Sequence, residues 1–383
     1  AEHSGINSDD KESHEYAHQS ISGSLLKATL SSWGLQATRA IMPVGLSLDP
    51  EPFILCLRSP CTTMNMRFFS YLIALFLVNT ALAETAYVSL ESDNAVALMS
   101  VPDGKLITTM KVGKRPRGIQ VSHDEKSLFV AVSDEHTIKQ YDLATRKLVA
   151  KLPSGHDPET FALSPDDKTL YISNEDDGKV TVVDIAKQKV IKAIAVGVEP
   201  EGICVSPDGE WVVSTSETTN MAHWIQAKTL EIADNTLVDP RPRACTFTQD
   251  GSQLWVSSEI AGTVSVLDVK THQLIGTIRF AIPGVTVDKL QPVGIRVDAT
   301  RQWAYVALGP SNRIAVINAQ TFKVEDYWLV GQRMWNLAFS KDGAYLYGAN
   351  GISNDLSIVN LKTRKVERSV PVGREPWGVA IGP

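Results

Sequence analysis

Seven short polar segments bring charged and aromatic side chains to the same place in successive stretches of alternating hydrophobicity. They are Arg115-Pro116-Arg117, His156-Asp157-Pro158-Glu159, Glu199-Pro200-Glu201, Arg241-Pro242-Arg243, Gln291-Pro292-Val293, Arg333-Met334-Trp335 and Arg374-Glu375-Pro376-Trp377. A guanidinium is a planar fork that grips carboxylates and phosphates through paired hydrogen bonds, and an indole stacks on flat ligands and on cations. Arg115, Arg117, Arg241, Arg243, Arg333 and Arg374, with Trp335 and Trp377, therefore read as an arc suited to a planar anion. Glu159, Glu201 and His156 supply acids and a titrating imidazole opposite that arc, and His156 beside Asp157 and Glu159 is the one place where a general base or metal ligand has acidic neighbours. A plainer reading is also open: the charges pair around a ring, and the two indoles plug it. Other signs of catalysis are thin. His123, His136, His156, His223 and His272 share no repeat position, and no nucleophile elbow, phosphate loop or dinucleotide fingerprint has the strand-to-helix context it needs. No catalytic residue and no metal site are expected.

The elements that position these residues are repeats. The phrases GIQVSHDEKSLFVAV from Gly118, FALSPDDKTLYISN from Phe161, GICVSPDGEWVVST from Gly202, CTFTQDGSQLWVSS from Cys245, GIRVDATRQWAYVAL from Gly294 and LAFSKDGAYLYGAN from Leu337 share one grammar. Their anchors Asp124, Asp166, Asp208, Asp250, Thr300 and Asp342 step by 42 residues, with one step of 50. Each unit holds an alternating strand, a tight polar turn, a strand with an aromatic and two further strands, which makes one four-stranded propeller blade. The aromatics Phe129, Tyr171, Trp211, Trp255, Tyr305 and Tyr347 read as packing between blades. Residues from Thr85 to Val112 supply three strands and Trp377 to Ile381 a fourth, so the chain ends combine into a seventh blade. The expected fold is an all-β, seven-bladed β-propeller closed by pairing its N- and C-terminal segments, a monomer with no long open sheet edge. The long step comes from about eight extra residues within Phe280 to Leu290, a loop that caps the channel, docks a partner or is merely tolerated.

The repeats resemble the YVTN-type bacterial β-propeller family, whose P-x-G entry, S-P-D-G turn, L-Y-V strand and V-x-V-D strand they share across residues 85–383. The entries VGKRPRGIQVSHD, SGHDPETFALSPDD, VGVEPEGICVSPDG and VGREPWGVAIG are most similar to the propellers associated with catabolism dependent on pyrroloquinoline quinone (PQQ). The resemblance implies a binding or accessory role in PQQ-dependent alcohol oxidation, PQQ as a possible ligand, and a quinoprotein alcohol dehydrogenase or another periplasmic redox protein as partner. The tryptophan-docking repeat of the quinoprotein dehydrogenases is missing. Similar propellers also include lactonases, for which His156, Asp157 and Glu159 would be the candidates, and a nucleic-acid binder. A protein-docking scaffold using Ile282 to Leu290 is a further rival.

The segment from Met66 to Ala83 has a basic residue, an apolar stretch of about a dozen residues and A-L-A before Glu84, the pattern of a cleaved secretory leader. The expected division is a non-native or disordered upstream extension over 1–65, a signal peptide over 66–83 and a propeller over 84–383, placed in the periplasm or secreted, with no membrane association after cleavage. The chain has 37 Lys and Arg against 43 Asp and Glu; residues 1–83 hold 5 and 7 of these, which leaves the propeller at net −4. That balance argues against nucleic acid, whose binders carry a basic excess. Cys204 and Cys245 are placed at matching points of neighbouring first strands, pointing the same way, and are expected to be buried free thiols.

Overall fold

The computed structural model describes residues 84–383; the expected leader, the extension before it, Cys56 and Cys61 lie outside the described residues. Seven four-stranded antiparallel sheets form the blades of a β-propeller, with three single 3-10 turns as the helical content of these residues. Blades one to six run in chain order, with first strands at Pro116–Val121, Pro158–Leu163, Pro200–Val205, Pro242–Phe247, Pro292–Val297 and Met334–Phe339. Blade seven pairs the last strand, Pro376–Gly382, with the first, Glu84–Leu90, from Thr85 opposite Gly382 to Leu90 opposite Pro376, with a register shift between Val88 and Leu90.

Burial follows position in the blade. Second and third strands are covered on both faces by neighbouring blades, so Ser127–Val132, Lys179–Asp184 and Trp303–Leu308 are almost wholly buried. Fourth strands form the rim, and Lys105–Lys111 and Lys365–Pro371 are mostly exposed. Each fully buried Val, Leu or Ile contributes about 1.5–3 kcal/mol. Phe129, Tyr171, Trp255, Tyr305 and Tyr347 occupy the same third position of their second strands and are buried between blades. Trp211 differs. It opens its strand, level with Trp303 and Tyr345, is only partly buried, and packs edge-on against Trp224 and His272; Val213 holds the buried slot of blade three.

The hairpin joining first and second strands is closed by a hydroxyl–carboxylate pair. Ser122 donates to Asp124 at 2.7 Å, Ser164 to Asp166 at 2.7 Å, Thr248 to Asp250 at 2.6 Å and Ser340 to Asp342 at 2.6 Å. In blade five the two roles are exchanged: Thr300 donates to Asp298 at 2.8 Å, so Thr300 in the anchor slot keeps the pair intact.

Cys204 and Cys245 form a disulfide, with Cα atoms 5.9 Å apart, which corrects the expectation of two free thiols. Two physical facts overturn it. The cysteines are 41 residues apart in a repeat of 42, so they occupy adjacent strand positions, and adjacent side chains point to opposite faces. First strands also converge on the propeller axis, so the face-to-face spacing of packed sheets does not apply to them.

The long loop between blades four and five folds over their junction. Phe280 and Leu290 are buried with Trp255, Val264 and Ile278, and the Ala281 N–H donates to Tyr327 Oη at 3.0 Å. Residues 280–290 line neither the channel nor its mouth.

Candidate functional site: the channel mouth

The backbone that enters each first strand is locked before any side chain acts. Arg115, Asp157, Glu199, Arg241, Arg333 and Glu375 all have left-handed φ between 43° and 61°. In four of the seven entries an asparagine from the preceding blade accepts the entry residue's N–H: Asn94 from Arg115, Asn220 from Arg241, Asn312 from Arg333 and Asn354 from Glu375, at 2.8–3.1 Å. In a fifth, His136 Nδ1 accepts from Asp157 at 3.1 Å. The following proline then starts the strand, so the next residue is delivered to the axis.

The result is concentric. The entry residue forms an outer ring. The residue after proline, or after Met334 in blade six, forms an inner ring of Arg117, Glu159, Glu201, Arg243, Val293, Trp335 and Trp377. A third ring, missed by the sequence reading, comes from the residue just past each second strand and carries Glu91, Glu175, Glu217 and Glu259. Its signal was present: Glu175, Glu217 and Glu259 recur at 42-residue steps after a small or polar strand end.

These rings build an ion-pair network. Arg243 binds Glu217 at 3.2 Å, Glu259 at 3.1 Å and Glu201, with its guanidinium 5.2 Å from the Trp335 ring centre. Burial alone lowers the Arg243 pKa, but Glu201, Glu259 and Glu217 outweigh it and hold the group firmly charged. Arg241 bridges Glu217 at 2.9 Å and Glu259 at 3.1 Å. Across the mouth, Arg117 binds Glu91 at 2.8 Å and Glu159, under Trp377 at 5.9 Å. Arg115 reaches Asp157 at 3.0 Å, Glu159 at 2.9 Å, Glu91 at 3.4 Å and Asp134 at 3.5 Å. Arg333 is the least satisfied: it stacks 4.3 Å from the Trp335 centre, donates to Gln291 Oε1 at 2.8 Å and meets one carboxylate, Glu259, at 3.4 Å. Burial lowers its pKa against the pull of Glu259, with Arg243 and Arg241 adding to the fall.

Five guanidinium groups thus pair with seven carboxylates, and Glu175 adds an eighth to the vestibule wall, with no ion-pair partner among the described residues. Burial, then Glu159 and Asp157, push Glu175 up to about 7. Burial raises Glu201 well above the carboxylate range despite Arg243. Asp157, Glu159 and Glu175 bring carboxylate oxygens within 4.8 Å of one another, and Glu159 is fully buried with Oε2 unpartnered. Arg115 and Arg117 are both bound to Glu159, so positive charge already occupies one side of this trio.

Of the sequence candidates, Arg115, Arg117, Arg241, Arg243, Arg333 and Trp335 line one vestibule of about 570 Å³. Glu159 and Glu201 are the buried partners of Arg115, Arg117 and Arg243. Arg243 and Trp335 also line the channel below, so together they form the vestibule floor. Trp377 lines only the channel of this pair. Two candidates sit elsewhere. Arg374 is 68% exposed on the outer rim, bound to Asp93 at 2.8 Å. His156 is 66% exposed and bound to Asp177 at 2.9 Å, which raises its pKa.

Most of the cationic donors of the mouth already hold carboxylates, and the spare donors lie on the Arg333 side of the vestibule.

Fold and mouth together define a seven-bladed β-propeller with a charged axial vestibule. The YNCE-like beta-propeller family model matches residues 72–209 and the Choice-of-anchor I domain model matches residues 173–346. No curated protein matches the chain. Among solved structures, the chain is similar to the Pseudomonas aeruginosa periplasmic gluconolactonase PpgL, at 15% identity over 78% of this chain and 99% of that one, with a TM-score of 0.65. It is also similar to a functionally unknown protein from Desulfotomaculum acetoxidans, at 18% identity over 78% and 98%, with a TM-score of 0.65. The dihydro-heme d1 dehydrogenase NirN matches at 16% identity over 77% of this chain and 74% of that one, with a TM-score of 0.59. At these identities the likeness is one of fold. Among the described residues no helix is long and apolar enough to cross a membrane.

Proposed function

We propose that the protein is a periplasmic or secreted binding or accessory propeller whose vestibule takes a planar anionic ligand, PQQ or a relative of it, in support of a quinoprotein dehydrogenase. The observation that carries the reading is the convergence of Arg241, Arg243, Arg333 and Trp335 on one cavity, with Arg333 held by a single carboxylate. A flat ligand would stack on the Arg333–Trp335 pair, and one of its carboxylates would take the spare guanidinium donors. Proton uptake at Glu175 would lower the negative charge that opposes entry. PQQ is named from the repeat resemblance; the geometry asks for a planar anion. The acid surplus of the mouth counts against nucleic acid, which needs uncompensated cations.

A lactonase reading has one observation in its favour, the Asp157–Glu159–Glu175 trio with a carboxyl titrating near neutrality. A thermal-shift panel of PQQ, sugar lactones and short single-stranded DNA separates the readings, because a ligand of the native state raises the melting temperature by mass action. Stabilisation by PQQ alone supports the proposal; lactone turnover lost on Glu175→Gln replaces it with the enzyme.

A further inference from the structure

Below the vestibule floor, the axial channel encloses about 530 Å³ between the seven first strands. At one level of that wall the repeat places Gln120, Ala162, Cys204, Thr246, Arg296, Ala338 and Ala380, every one of which lines the cavity. Five of these seven are small, and two carry long polar side chains. Arg296 is unlike the arginines of the mouth. Among the described residues it meets no carboxylate, and its one hydrogen bond runs from Nη1 to the Ile295 carbonyl at 2.7 Å. The other charged groups lining the channel are committed elsewhere: Arg243 and Glu201 to each other at the roof, His123 to Asp167 at 2.7 Å and Lys341 to Glu125 at 2.8 Å. Trp377 lines the same space, and its buried indole N–H has no partner.

Arg296 is partly buried in the channel wall, where a cation without a carboxylate partner is held less favourably than in water, and burial pushes its guanidinium down to about 10. The geometry points to a second ligand site: a small monocarboxylate with a short apolar body, its carboxylate on Arg296 and its body among Ala162, Ala338 and Ala380. One cation matches one negative charge, whereas a phosphate dianion would bring a second charge with nothing to meet it. The Gln120 amide stands at the same level in blade one as a neutral donor or acceptor. This site is separate from the mouth and does not depend on the function proposed for it.

The test is calorimetric titration of the protein with propionate, butyrate and inorganic phosphate. Propionate or butyrate, which lack a flat ring to stack in the vestibule, should bind one to one, Arg296→Gln should weaken that binding at least about tenfold, and Arg333→Gln should leave it unchanged. Gln120→Leu, which keeps the arginine, should cost a smaller factor and serves if Arg296→Gln fails to fold. The proposal is overturned if neither carboxylate binds at millimolar concentration, if phosphate binds more tightly, or if Arg333→Gln rather than Arg296→Gln abolishes binding.

Discussion

Cys204 and Cys245 face each other because they are one residue out of step with the repeat. Their separation of 41 residues in a 42-residue period turns one side chain toward the next blade and the other back toward it. The bridge ties the first strands of blades three and four at the axis and closes a loop that, in the chain-entropy picture, stabilises by about 4 kcal/mol. A non-reducing peptide map should recover the two cysteines in one linked species, and Cys245→Ala should lower the melting temperature by several degrees. Equal melting temperatures for oxidised protein and variant would remove the stabilising role.

Arg243 is the keystone of the mouth, holding Glu201, Glu217 and Glu259 at once. Arg243→Met takes from buried Glu201 its one cationic partner and from Glu217 and Glu259 one of the cations they share with Arg241, and breaking a buried pair in this way costs about 3–5 kcal/mol. Urea denaturation of the variant at neutral pH should show a loss of that size, partly restored by adding Glu217→Gln. A loss under about 1 kcal/mol, the scale of exposed ion pairs, would mean that the network is effectively solvated.

Glu175 gives the mouth a pH dependence with a definite sign. Its folded value of about 7 lies above the ordinary 4.5, so the native state holds this proton more tightly than the unfolded chain does. Its contribution is unaffected below the unfolded value, erodes as pH rises toward 7, and is fully lost above that. Glu175→Gln should therefore melt at a higher temperature than the wild type at pH 8, with the gap closing toward pH 4.5. A variant less stable than the wild type at pH 8 would show that the carboxylate is favourably held after all.

Closure of the ring depends on the last strand. Pro376–Gly382 supplies the innermost strand of blade seven and contributes Trp377 and Val379 to the buried set. Deleting residues 376–383 uncovers the edge of Glu84–Leu90 and the flanks of blades one and six. Circular dichroism should show loss of the cooperative melt or aggregation. A soluble truncated chain with an unchanged melt would contradict closure by the chain ends.

Blade number, blade boundaries and the joining of the chain ends were legible because a 42-residue period with alternating strands has few physical solutions. Inner-ring residues such as Arg117, Arg243, Trp335 and Trp377 were legible for the same reason, since they follow the entry proline or its Met334 counterpart. The third ring was not read. Glu91, Glu175, Glu217 and Glu259 come from a different loop and meet the arginines only through the radial packing of blades, so a cationic arc in sequence became an ion-pair network in space. Proximity along the chain also misled at His156, whose neighbours Asp157 and Glu159 turn inward while its own ring turns outward to Asp177. The cysteine pairing required counting to a single residue, and the exchange of Asp298 for Thr300 shows that the turn preserves a hydrogen-bonded pair instead of a fixed residue.

The most direct test of the account is equilibrium titration of PQQ into the protein at pH 6.5, read by tryptophan fluorescence. Wild-type protein should show saturable quenching, Trp335→Ala and Arg333→Ala should each weaken binding by about tenfold or more, and Arg374→Ala, on the outer rim, should leave it unchanged. Binding insensitive to both vestibule variants, or no binding at all, would contradict the vestibule as the ligand site.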